Sequence, residues 1–172
     1  QLNSAKSQLE SSQKALQDQQ SSTASELAQT SKAVDAAVAT QSAYNAQLAG
    51  LQASKLALET EKKAYTDAGI EAQYEQINES FASVRNMASG YGMDASAYPA
   101  DISDALKSPK KLEALTAFMK QIGQSDAAAS LTTDNLKQLD QIVNTRLPQI
   151  DTELANLAVE IQAAQAIADQ VN

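Results

Sequence analysis

Ten positions spaced by seven, 2, 9, 16, 23, 30, 37, 44, 51, 58 and 65, hold Leu, Leu, Leu, Thr, Thr, Ala, Tyr, Leu, Leu and Tyr. A seven-residue period keeps one face pointed at a partner only if the chain stays helical throughout, so this register demands a long helix. Leu27, Val34 and Leu48 form a second seam four residues after members of the first, as alternating core positions require. Between residues 17 and 26, "QDQQSSTASE", the seam is nearly all polar. The end of the chain repeats the pattern: Val143, Leu147, Ile150, Leu154, Leu157, Ile161, Ala164, Ala168 and Val171 are spaced alternately by four and three. Both stretches are predicted helical arms.

A third pattern, Ile70, Tyr74, Ile77, Phe81 and Val84, is out of phase with the first arm, and the slip falls at "YTDAG", residues 65–69. A stutter or a short break at Gly69 would produce it, in a nearly continuous helix reaching about Ala88. "SGYGMDASAYPADI", residues 89–102, contains Gly90, Gly92 and Pro99 and must reverse the chain. Asp101 and Ser103 can then cap a short turn. Pro109 suits a first-turn position, Gly123 a stop, and Leu112, Leu115, Phe118, Met119 and Ile122 one apolar helical face. Thr133 sits in a plausible N-cap region, and Pro148 predicts a local bend or lost hydrogen bond without a full stop.

Six of the seven aromatics and all three methionines lie between Tyr65 and Met119. A small core is therefore predicted at the tip, built from Tyr74, Ile77, Phe81, Val84, Leu115, Phe118 and Met119. The fold class that follows is all-α: an elongated antiparallel helical hairpin, a coiled coil with a small helical tip subdomain. Its parts are a first arm over residues 1–66, a tip over 67–132 with the Gly/Pro loop at 89–102, and a returning arm over 133–172. At 1.5 Å per residue the arms span roughly 100 Å and 60 Å. Pairing back from the tip brings Val171 to about Leu27 and leaves Leu2, Leu9 and Leu16 on an overhang. That overhang is expected to fray, to pair with chain beyond Asn172, or to form a weak homodimer. Gln1 enters in mid-pattern, as expected of a piece of a longer chain.

The net charge is −8, and the acidic excess lies after residue 66, where 15 acidic side chains face 7 basic ones. Phosphate binding needs clustered Lys and Arg, so a nucleic-acid surface is excluded. Residues 36–54 are uncharged, but Thr40, Gln41, Ser42, Asn45, Gln47 and Gln52 make insertion into a bilayer unfavourable. With no histidine and no cysteine, the usual general bases, thiol nucleophiles and zinc ligands are missing. No catalytic residue, metal site or cofactor is predicted. Asp94, Asp101 and Asp104 lack the alternating ligands and obligatory glycine of an EF-hand, and read as helix caps.

Glu71, Glu75 and Glu79 make an acidic stripe at i, i+4, i+8, read as a solvated face. "NES" at 78–80 matches a glycosylation acceptor inside a predicted helix. Tyr91, Met93 and Tyr98 are of a different kind: amphipathic or adaptable side chains on a glycine-containing loop, the types that serve interfaces. They read either as a partner-binding surface or as side chains folded back onto the tip core. The sequence leaves both open.

"VRNMASGYG" (84–92), a tyrosine-containing loop, "LKSPKKLEALTAFMKQI" (106–122) and a long returning helix together resemble the N-terminal coiled-coil regulatory module of PcsB/CwlO-type peptidoglycan hydrolases. The resemblance covers about forty residues. It implies a hairpin with a helical tip, an extracytoplasmic site and control by a membrane complex such as FtsEX. The expected function is thus a non-catalytic spacer and interaction module of a bacterial cell-envelope protein whose tip meets a protein partner. The competing expectation is a helical sensory bundle of a membrane receptor, or an extracellular helical loop of a transporter.

Overall fold

The structure is a computed structural model that describes residues 1–171. It is an all-α helical hairpin, and the described residues contain no strand. Helix α1 runs Leu2–Asp67, α2 Ile70–Gly90, α3 Ile102–Lys107, α4 Pro109–Gln121, α5 Ser125–Ser130, α6 Thr133–Gln141 and α7 Leu147–Val171. A 3₁₀ turn covers Ala95–Ala97, and a π-helical segment, Ile142–Arg146, joins α6 to α7. Two compact units are distinguished, Gln1–Gln52 with the chain from Glu160 onward, and Ala53–Val159.

In the first unit the seam of α1 is covered only from Gln41 on. Gln41, Tyr44, Leu48 and Leu51 are half-buried at spacings of three and four, and Ala164 and Ala168 are buried on α7 with Ile161 half-buried between solvent-facing neighbours. Alanine at these positions removes bulk and permits close helix approach. Residues 1–40 are exposed throughout. The uncovered stretch is therefore longer than the pattern predicts, because α6 does not serve as arm: its Leu136 is wholly buried in the tip core. The returning arm begins at Leu147 rather than at residue 133. Thr23 and Thr30 in the bare seam donate their hydroxyls to the carbonyls of Gln19 and Glu26, at 2.9 Å each, which satisfies them within the helix itself.

In the second unit the core is shared by α2 to α6. Phe81, Val84 and Ala88 of α2 meet Ile102 and Ala105 of α3, Leu112, Leu115, Phe118 and Met119 of α4, Ala128, Leu131 and Leu136. Tyr74 and Ile77 are partly buried against this cluster. Below it, Lys62 Nζ lies 2.6 Å from Asp151 Oδ1, and Arg146 donates Nε–H to Glu61 Oε1 at 2.8 Å and Nη2 to Glu61 Oε2. These pairs tie the end of α1 to the π segment and to the start of α7. The Arg146 guanidinium holds the Glu61 carboxyl below its ordinary range, and Glu61 in turn raises Arg146.

The helix ends follow local chemistry. Gly92, at φ 79°, closes α2 in a Schellman motif: Met93 N–H reaches Ala88 O and Gly92 N–H reaches Ser89 O, both at 3.0 Å. Asp94 caps the 3₁₀ turn by accepting Ser96 N–H at 3.0 Å, and Asp101 caps α3 by accepting Asp104 N–H at 2.8 Å. Asp104 Oδ2 reaches back to Ala100 N–H at 3.0 Å, with Lys111 Nζ 3.3 Å away. Thr132, one residue before the expected position, caps α6 through Asn135 N–H. Pro148 sits in the first turn of α7, and the widened π segment before it takes up the missing N–H and the ring's bulk.

The Ala100 hydrogen bond, followed by Lys111, holds the Asp104 carboxyl below its ordinary range. A depressed carboxylate contributes its stability in full above the unfolded-state pKa and loses it as pH falls through the folded one. Melting followed by circular dichroism should therefore fall for the native chain as pH drops below about 4. Asp104→Asn should be less stable at neutral pH and show a shallower acid loss. Parallel acid profiles for the two would show that Asp104 has no part in acid sensitivity.

Candidate functional site

Where α2 stops at the Schellman turn, the second unit carries its most exposed aromatic side chain. Tyr91 is 71 % exposed, and Met87 and Met93 lie beside it with roughly two-fifths of their surface open. Met87 and Tyr91 are four residues apart at the end of α2, so both project from one helical face. That face is adjacent to the buried row Phe81, Val84 and Ala88, and the patch is the edge of the core continued outward.

Of the two readings left open for the loop, Tyr98 takes the folded-back one. It is only 8 % exposed, with its ring edge-on to Phe118 at a centroid distance of 5.8 Å. Its hydroxyl donates to Met93 Sδ at 3.2 Å, and Pro99 beside it is fully buried. The physical reason is the tight reversal. The 3₁₀ turn returns the chain across the end of α2, and an aromatic side chain there reaches the gap over Phe118. Tyr91 packs on the same ring, tilted at a centroid distance of 6.2 Å, while keeping most of its surface in water. One core phenylalanine thus carries a buried tyrosine and an exposed one.

Arg85 fixes the loop beneath this patch by donating Nε–H to Ala95 O at 3.0 Å. Asn78, the first residue of the acceptor-like "NES", is half-buried and its Oδ1 accepts Ile102 N–H at 2.8 Å, tying α2 to the start of α3. Glu71, Glu75 and Glu79 are exposed. Asp94, Asp101 and Asp104 are engaged in the caps described above. No group of three or more acidic side chains among the described residues is arranged to hold a metal ion.

The sequence reading missed Met87, whose signal was its spacing from Tyr91 and its place one residue off the core row. It also missed Ile102, Ala105, Ala128, Leu131 and Leu136 as core. Their elements are six to nine residues long, or loops, too short to display a period. Among the described residues no helix is long and apolar enough to cross a membrane. Comparison of the chain with family models, curated proteins and solved structures gives no match.

Proposed function

We propose that this chain is a non-catalytic spacer and interaction module of a bacterial cell-envelope protein, extracytoplasmic, whose tip docks a protein partner through Met87, Tyr91 and Met93 and thereby regulates cell-wall hydrolysis. The observation that carries the docking surface is the exposed tyrosine flanked by two half-exposed methionines on a stapled end of α2. Rigid aromatic anchors beside adaptable thioethers are the composition that interface centres favour. The order of elements from residue 84 to 122, with its likeness to regulatory modules of peptidoglycan hydrolases, supports the setting. Helices ranging from 66 residues down to 6 favour a hairpin module over a sensory bundle of four similar helices.

The test is binding to the extracytoplasmic region of a cognate FtsEX-type membrane complex, measured by calorimetry alongside thermal melting. Tyr91→Ala with Met93→Ala should weaken binding on the order of 30-fold or more, the effect of losing a hot spot, with little change in melting temperature. Tyr98→Phe, which keeps the buried ring, should bind nearly as the native chain does. Native affinity in the Tyr91/Met93 variant would remove the tip surface from the reading. Absence of binding by the native chain would remove this class of partner.

A further inference from the structure

Two helical paths of the second unit are both interrupted, and the cavity beside the first interruption is bounded across from it by Leu147, which stands between the π segment and Pro148. On one side, α1 ends at Asp67 and α2 starts at Ile70 with Gly69 between them at φ 66°, in the left-handed region. A Cβ on Gly69 would meet nothing within 4 Å, so the glycine serves the backbone turn and not a close contact. On the other side, α6 passes into α7 through the π segment Ile142–Arg146, followed by Pro148, which donates no N–H. Tyr65, Thr66, Gly69 and Ile70 share with Leu147 the walls of an open cavity of about 340 Å³. The weakest points of both helical paths therefore lie at the same level.

The π segment also holds both sides of the opposite break. Asn144 Nδ2 donates to Tyr74 Oη of α2 at 3.0 Å, and Arg146, two residues on, grips Glu61 of α1. Asp140 steadies Asn144 by accepting from the same amide at 2.8 Å. A helical path bends at little cost where its hydrogen-bond ladder is already interrupted, and here Asn144 and Arg146 reach both sides of the break from one short segment, beside Gln73 Nε2, which donates to Ala68 O at 3.0 Å.

We infer that residues 68–69 and 142–148 are a paired hinge, on which the tip, residues 70–141, swings against residues 53–67 and 149–159, with Asn144 and Arg146 as its catch. The open cavity supplies the room for the swing. This property belongs to the scaffold and holds whatever the tip binds.

The chain lacks cysteine, so spin-label pairs can be introduced cleanly for distance measurement by electron paramagnetic resonance. Ala57→Cys with Lys110→Cys spans the hinge, and Ser80→Cys with Lys110→Cys lies wholly within the tip. Releasing the catch with Asn144→Ala and Arg146→Gln should broaden the first distance distribution roughly twofold and leave the second unchanged. An unchanged first distribution overturns the hinge. If both distributions broaden, the tip has loosened, and Gly69→Ala decides the matter. Alanine disfavours the left-handed turn and pushes the break toward continuous helix, so a shifted mean for the first pair alone upholds the hinge, and no shift overturns it.

Discussion

Phe118→Ala is expected to lower the stability of the tip by about 3–5 kcal/mol, the range for removing a large ring from a closed core. Phe118 is 4 % exposed, and its ring packs against those of Tyr98 and Tyr91. Truncation therefore removes the ring's own buried area and leaves Tyr98 without its aromatic neighbour. The space cannot collapse easily, because Arg85 and the Schellman turn hold the loop above it and α4 is pinned below by the fully buried Leu115. Phe118→Leu should recover roughly half of the loss by refilling most of the volume. Chemical denaturation followed by circular dichroism measures both. A loss under about 1 kcal/mol for the alanine variant would mean that the tip is not closed around this ring.

Leu136→Ala and Leu16→Ala make the second contrast, the same truncation on two helices with opposite expected results. Leu136 is wholly buried in the core of the second unit, and its loss should cost about 2–5 kcal/mol. Leu16 is 66 % exposed on the uncovered part of α1, and its loss should stay within about 0.5 kcal/mol. A monomeric chain, verified by sedimentation, must be used for both. A cost above about 1 kcal/mol for Leu16→Ala in the monomer would show that residues 1–40 are covered by some other part of the chain.

These two leucines also show what a sequence can display and what it cannot. Leu16 belongs to the strictest period in the chain, and the period correctly marked a helix with one apolar face. It carried no information about whether that face is covered, because periodicity records a helix's readiness to pack and coverage depends on where the partner helix ends. Leu136 belongs to a nine-residue helix with a single buried position, where no period can build up. The long patterns around Phe81 and Phe118 were legible for the opposite reason, since α2 and α4 run long enough to repeat their apolar positions.

The candidate surface was half legible. Glycine-flanked tyrosines and methionines on a reversal mark a place where side chains meet either a partner or the core. Only the path of the 3₁₀ turn separates Tyr98 from Tyr91, and that path rests on Asp94, Arg85 and Gly92 acting together. Three residues of different types at irregular spacing leave no trace that a one-dimensional pattern would reveal.

The shared ring contact at Phe118 has a thermodynamic corollary. A ligand that orders Tyr91 acts on a side chain already touching the core, so its binding free energy and the tip's folding free energy are linked through one phenylalanine. Linkage is reciprocal: a partner that binds only the folded tip raises its melting point according to concentration and affinity. Anything that loosens the tip lowers the affinity by the fraction of molecules left competent. The partner's grip and the tip's cohesion are, in this arrangement, two readings of one equilibrium.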